Sequence, residues 1–181
     1  ARPTVAVPWN RSTPIAYINL DRFEEAGASA PTTWSELEEV ASELTRKNAN
    51  GEREYGFACP VDWWFWVALV GQAGGAITGP GGQFTLGGEH GVSALQFWKR
   101  LVHERHSMKP PQGRDYTSWQ NINQDFLSGR AAMVWNSSAF LKYIEQNAKF
   151  RVGTVALPAG VRRAVPAGRD LLRGLRGDAG A

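Results

Sequence analysis

Two tryptophans and two pairs of hydroxyl residues are the side chains best suited to hold a small polar molecule. Trp63-Trp64-Phe65-Trp66 places four bulky rings in one helical turn. Successive helical side chains point about 100° apart, so the four cannot all face one core. At least one must stand near solvent or a ligand. Trp63 and Trp66, three apart, share a face. Such a pair can stack on the carbon face of a sugar or polyol, or hold a trimethylammonium head by cation–π attraction. It can equally lock its helix onto a neighbour, and the residues alone leave both readings open. Ser12 and Thr13 fall in the loop after the first strand. Ser137 and Ser138 fall where a strand turns into a helix. Backbone N–H groups and a positive dipole end are free there, suited to an anion or a sugar hydroxyl. Plain N-capping accounts for one serine of that pair but not for both.

Other chemistry is thinly represented. His103 and His106 stand at i, i+3 with Glu104 between them, and no third metal ligand is marked. They read as a solvated helix end. There is no G-x-S-x-G, no P-loop and no H-E-x-x-H. Gly74-Gly75 and Gly81-Gly82 follow a helix, where a phosphate loop would precede one. A glycoside hydrolase needs two cleft carboxylates. Only Asp62 and Glu89 offer themselves, and no spacing joins them. The expectation is a binder and not an enzyme, with no metal and no cofactor.

The elements that must position these residues follow from caps and periodicity. Thr4 to Asn10 reads as a strand entering a loop at Pro8, and Ile15 to Asn19 as a second strand. Asp21 caps a short helix that Gly27 ends. Thr33-Trp34-Ser35-Glu36 matches a capping box, followed by Trp34, Leu37, Val40, Ala41 and Leu44 on one helix face to about Arg46. Tyr55 to Ala58 is a strand. Asp62 caps a helix from Trp63 to about Gln72. A glycine-rich loop follows, with a small hairpin around Phe84. Val92, Leu95, Trp98, Leu101 and Val102 repeat at helical spacing. Thr117 to Gln120 matches a second capping box, opening a helix with Trp119, Ile122 and Phe126 that Gly129 closes. Ala131 to Trp135 is a buried strand. Asn136-Ser137-Ser138 starts a helix with Phe140, Leu141 and Ile144 inward. Phe150 to Leu157 is the last clear strand. Strands alternate with helices, so the class is α/β.

Composition bounds the rest. The chain has 181 residues, enough for one domain or one large lobe, and 43% of them are apolar. No apolar run approaches the roughly 18 residues a membrane span needs. The one cysteine, Cys59, excludes an internal disulfide. Residues 151–181 carry six arginines against two aspartates, while residues 1–150 hold 14 basic and 15 acidic side chains. The +3 excess therefore sits in the tail, unlike the interleaved basic face of a nucleic-acid binder. No nucleic-acid partner is expected. Residues 161–181 use only Val, Arg, Ala, Pro, Gly, Asp and Leu, and read as a solvated, disordered tail.

A family likeness runs through these segments. Val7-Pro-Trp-Asn-Arg-Ser-Thr-Pro-Ile-Ala-Tyr-Ile-Asn, then Phe23, Ala26-Gly27 and Pro31-Thr-Thr-Trp-Ser-Glu-Leu, resembles the middle of an extracellular solute-binding protein of a bacterial ABC importer. The resemblance is narrower to the branch that binds glycerol-3-phosphate and glycerophosphodiesters, close to sugar-binding members. That branch carries P-F-N-x-S-T-P before a Y-x-N strand, P-x-T-W-x-E-L, a Trp-x-x-Trp, F-x-x-G-x-A-A-M and a serine pair. The last three correspond to Trp63–Trp66, Phe126–Met133 and Ser137-Ser138.

The resemblance covers about residues 5–165. It implies one lobe of a periplasmic-binding-protein-like (type II) two-lobed fold. Residues 1–160 would be mostly the second lobe with hinge strands, and 161–181 an atypical tail. It implies that Ser12, Trp63, Trp66 and Ser137 contact ligand, with Ser138 the fallback for Ser137. Trp9 stands for the usual Phe and Trp135 for a smaller residue, which leaves pocket shape open. The ligand would be a glycerophosphate, a glycerophosphodiester or a sugar, captured for delivery to ABC permease subunits. The location would be periplasmic or extracellular, with lipid anchoring of the longer parent left open. A carbohydrate-active enzyme fragment is the remaining alternative. The family's opening segment is missing before Thr4, and Arg169 onward departs from its pattern. The expectation is a fragment whose C-terminal stretch is truncated or read out of frame.

Overall fold

The computed structural model describes residues 7–110, 116–166 and 168–172. A five-stranded sheet organises the chain, with strand order β3-β4-β5-β2-β6. Its members are β2 (Pro14–Asn19), β3 (Arg46–Lys47), β4 (Arg53–Ala58), β5 (Ala131–Ser137) and β6 (Val152–Val155). Only β4 and β5 run parallel; the other neighbours are antiparallel. A separate two-stranded ribbon pairs β1 (Val7–Ser12) antiparallel with β7 (Gly168–Leu172), Ser12 opposite Gly168.

Side-chain alternation splits the core into two layers. Ala16, Ile18, Phe57, Met133 and Trp135 face one side of the sheet, against Leu37 and Ala41 of α2 (Trp34–Glu43), Phe65 and Leu69 of α3 (Trp63–Gln72), and Phe97 of α4 (Glu89–Lys99). Tyr17, Ala58 and Val134 face the other side, against Ile122 and Phe126 of α5 (Tyr116–Leu127) and Ile144 of α6 (Leu141–Asn147). Covered on both faces, β5 is buried along its whole length. The expected α/β class is what forms.

Local signals decide most boundaries. Thr33 Oγ1 accepts from the Glu36 N–H at 3.2 Å and starts α2. The Glu36 carboxylate reaches back one residue further than in the standard box, to the N–H and hydroxyl of Thr32. Asp62 Oδ1 accepts from the Trp64 N–H at 2.8 Å and starts α3. Gly27 ends α1 (Leu20–Ala26) in the left-handed region that glycine favours, at φ 65°.

Several expectations are corrected. The cap of α1 is Asn19, not Asp21; Asp21 pairs instead with Arg151, far along the chain. Thr117 lies inside α5, which already begins at Tyr116. On α4, Val92 and Leu95 are exposed, while Ala94, Phe97 and Trp98 are buried. The helix passes into a π-helical turn at Arg100–Glu104, which resets the phase of its inner face.

Part of the segment expected to be a solvated tail makes fixed contacts with the end of α3. The Val161 N–H donates to the Gln72 carbonyl at 2.9 Å, and Gln72 Nε2 donates to the Ala164 carbonyl at 3.0 Å. The Arg162 guanidinium donates to the carbonyls of Gly71 and Gly75, each at 2.8 Å. It adds a donor at the end of α3, where the Gly71 carbonyl also accepts from the Gly74 N–H, and places a cation at the favourable dipole end. Composition alone carries no trace of that fit. Residues 173–181 lie outside the described residues.

Candidate functional site

Two parallel strands give the sheet one edge where their carboxyl ends meet, the usual position of a ligand crevice in open α/β sheets. Ala58 of β4 lies level with Val134 of β5, and Ser137 lies opposite Pro14, the first residue of β2. Beyond this edge the chain turns three times. β4 leads through Cys59–Val61 to the cap of α3. β5 passes into a 3₁₀ turn, Ser138–Phe140. β1 ends at Ser12 and enters β2 through Thr13.

Two of these turns are clamped together. The Thr13 N–H donates to Ser138 Oγ at 3.1 Å, and the Ser138 N–H donates to the Thr13 carbonyl at 2.9 Å. The Ser138 hydroxyl accepts in this pair and keeps its own proton to give away. Around the clamp lies a depression of about 400 Å³ lined by Arg11, Ser12, Thr13, Ser138 and Val165. Among the described residues no carboxylate lies within ion-pair distance of Arg11. A cation and three hydroxyl side chains at one opening can hold phosphate or polyol oxygens.

Of the residues singled out in the sequence, Ser12 and Ser138 line this depression and Ser137 does not. Ser137 is 7% exposed, and its Oγ accepts from the Ala139 N–H at 3.2 Å. Its carbonyl accepts from the buried Tyr17 hydroxyl at 2.7 Å. Burial pushes the Tyr17 phenol well above its ordinary range, so it stays a donor. Capping therefore explains Ser137, and the clamp to Thr13 explains its neighbour.

Trp63 and Trp66 sit at the start of α3, along the same sheet edge. They follow β4, which lies two strands from β2 in the sheet, and do not line the depression. Trp63 is 69% exposed. Trp66 is half-buried against the core, with its indole N–H toward the Gly91 carbonyl at 3.4 Å. Trp64 and Phe65 take the core side of the turn, both packed on Trp119. Trp135 is fully buried among Phe57, Phe65 and Phe97, so it does not shape a pocket wall. The Trp9 side chain lies outside what is described.

Arg11 and Val165 were not flagged by motif reasoning. Arg11 occupies the variable position of N-x-S-T-P, and Val165 belongs to the segment read as tail; neither carries a local signal. The carboxylates considered for hydrolysis do different work. Asp62 is occupied as the α3 cap, and Glu89 lies in the first turn of α4. Burial pushes the Cys59 thiol up, away from thiolate chemistry. Among the described residues no three His, Cys, Asp or Glu side chains gather to hold a metal. No described helix is long and apolar enough to cross a membrane.

Comparison with known proteins agrees with this geometry. Over 162 residues the chain is 28% identical to the sn-glycerol-3-phosphate-binding periplasmic protein UgpB of Salmonella typhimurium, covering 83% of this chain and 35% of that protein. The chain thus spans about a third of the length of the curated relatives it matches. Among solved structures, UgpB from Mycobacterium tuberculosis in complex with glycerophosphocholine superposes with a TM-score of 0.75 at 27% identity, over 93% of this chain and 44% of that one. Maltose-bound MalE3 of T. maritima superposes with a TM-score of 0.78 at 26% identity, over 93% and 45%. The fold is that of one lobe of the two-lobed periplasmic-binding-protein-like architecture. The model of the bacterial extracellular solute-binding protein family matches residues 2–172, and the chain belongs to that family.

Proposed function

We propose that this chain is mostly the second lobe, with hinge strands, of the solute-binding component of an ABC importer, and that it captures glycerol-3-phosphate or a glycerophosphodiester outside the cytoplasmic membrane. The observation that carries the reading is the depression in which Arg11, Ser12, Thr13 and Ser138 converge. Arg11 pairs with the phosphate, and the hydroxyls of Ser12 and Ser138 donate to its oxygens or to the glycerol hydroxyls. The exposed ring of Trp63 covers the carbon face or the choline head, with Trp66 holding it against α4. Ser137 shapes the turn without touching ligand. The relatives of 28% identity named for sn-glycerol-3-phosphate binding support the phosphate ester.

The work done is capture, not catalysis. β1 and β7 cross between lobes as the hinge, and closure buries the ligand before the closed form docks on its permease. One lobe supplies half of the contacts. The isolated chain therefore binds glycerophosphocholine weakly, and calorimetric titration giving a micromolar dissociation constant would contradict the two-lobed reading. A second reading is a sugar binder. It is supported by the 26% identical, maltose-bound neighbour and by an open indole face suited to a pyranose. A thermal-shift screen of the protein expressed with both lobes separates the two. Stabilisation by glycerol-3-phosphate or glycerophosphocholine and none by maltose upholds the phosphate ester, and the reverse pattern replaces it with sugar.

A further inference from the structure

We propose that the outer face formed by α5 and α6 carries a second binding site, for a neutral polyhydroxylated molecule of sugar size. A depression of about 590 Å³ lies there, lined by Gln120, Asn121, Asn123, Gln124, Phe140 and Tyr143. It shares no lining residue with the Ser12–Ser138 depression. Four carboxamides from one helix face two aromatic rings from the next turn of chain, and no formal charge lines it. Carboxamides match vicinal hydroxyls because each offers donors and an acceptor side by side. Aromatic rings complement the C–H face of the same molecule.

The floor of this depression is oriented by a chain of hydrogen bonds that begins in the backbone. The Ser137 N–H donates to Asn136 Oδ1 at 2.7 Å. A backbone N–H can only donate, so the Asn136 oxygen is fixed toward it. Asn136 must then present its NH₂ group the other way, where it donates to Asn123 Oδ1 at 2.6 Å. Asn123 in turn must present its oxygen to Asn136 and its NH₂ group elsewhere. Asn123 is 3% exposed and lines the depression. Its orientation is forced by this relay, and a hydroxyl oxygen entering the depression can accept from its NH₂ group. Gln124 Nε2 lies 3.4 Å from the Tyr143 hydroxyl across the opening, a long contact that a ligand hydroxyl can replace. The site is complete within this chain and stands independently of the glycerophosphate reading.

The test is a nitrogen-15 NMR titration of the full chain with maltose to about 10 mM, enough to fill a millimolar site. The side-chain amide signals of Gln120, Asn123 and Gln124 are expected to shift. The double variant Gln124→Ala/Tyr143→Ala is expected to weaken that response about tenfold or more, and inorganic phosphate to leave those signals in place. Both substituted residues are exposed on helices. Gln120→Ala, also exposed, serves as the second variant if the double one loses its folded amide spectrum. The proposal is overturned if the three amides do not move, if both variants respond like the parent, or if maltose shifts only signals around Ser12 and Ser138.

Discussion

The two depressions are built on opposite sides of one three-residue segment, and they differ in what orients them. At Ser138 the wall is made of turns: two backbone N–H groups and one hydroxyl clamp β1–β2 to the end of β5, and the Arg11 cation stands at the rim. At Asn136 the wall is made of helix faces, and a buried amide relay fixes which atom points outward. The first depends on the β1–β7 ribbon and a segment near residue 165, so its shape follows those connections. The second rests on α5 and α6 packed on the sheet, so its shape follows the core. The turns thus carry charge and hydroxyls, and the helix faces carry preoriented amides.

The comparison breaks most sharply at Asn136, which serves both sides. Asn136→Ala removes the acceptor of the Ser137 N–H and the donor to Asn123 in one change. Asn136 is fully buried, so water cannot replace either partner. Each orphaned group costs about 1–3 kcal/mol, giving an expected loss of about 2–6 kcal/mol for the two. Urea unfolding checks this as a lower midpoint at unchanged slope. Asn123→Ala orphans only the Asn136 donor and is expected to cost about half as much. Equal losses in the two variants would show that the relay is not what holds the turn.

Much of this arrangement was legible beforehand, and the limits were physical. Caps and apolar periods are local, so α2 and α3 start where Thr33 and Asp62 indicate, and β2 falls where its alternation puts it. Ser12 and Ser138 could be found because a strand-to-helix turn and a serine in a loop are local features. The role of Ser137 could not be separated from that of Ser138, because either hydroxyl can cap and only packing assigns the task. Asn19 and Asp21 are both good caps; Arg151, 130 positions away from Asp21, decides between them. Arg162 joins the end of α3 across 91 positions. The Val92–Leu95 side of α4 was misplaced because the buried stripe runs through Ala94, Phe97, Trp98 and Leu101, and an alanine is a weak marker of an inner face.

Arg11→Gln sharpens the contrast in charge. The residue is exposed and has no carboxylate partner among the described residues, so folding stability should stay within about 0.5 kcal/mol of the parent. Binding of glycerol-3-phosphate by the protein with both lobes is expected to weaken about tenfold, near 1.4 kcal/mol. The deficit should shrink as salt is raised, because the guanidinium is open to screening. The maltose response at α5 and α6 should not change. An anion affinity unaffected at low ionic strength would remove Arg11 from the site.

The smallest expected effect is acid sensitivity that leaves both depressions alone. Hydrogen bonds from the Arg151 side chain hold the Asp21 carboxyl below its ordinary range. The Thr32 backbone N–H does the same, most strongly, for Glu36. A carboxyl whose folded pKa is depressed adds stability above its unfolded pKa, about 4, and that stability is lost as pH falls through the folded value. Both groups are fully exposed, so each contribution is slight. Asp21→Asn and Glu36→Gln should each lower Tm a little at about pH 7 and converge on the parent near about pH 2. Neither residue lines a depression, so the amide shifts produced by maltose should be unchanged in both variants. A Tm gap that widens in acid would mean that these carboxylates repel their surroundings, and the pairing of Asp21 with Arg151 would no longer explain the junction between α1 and β6.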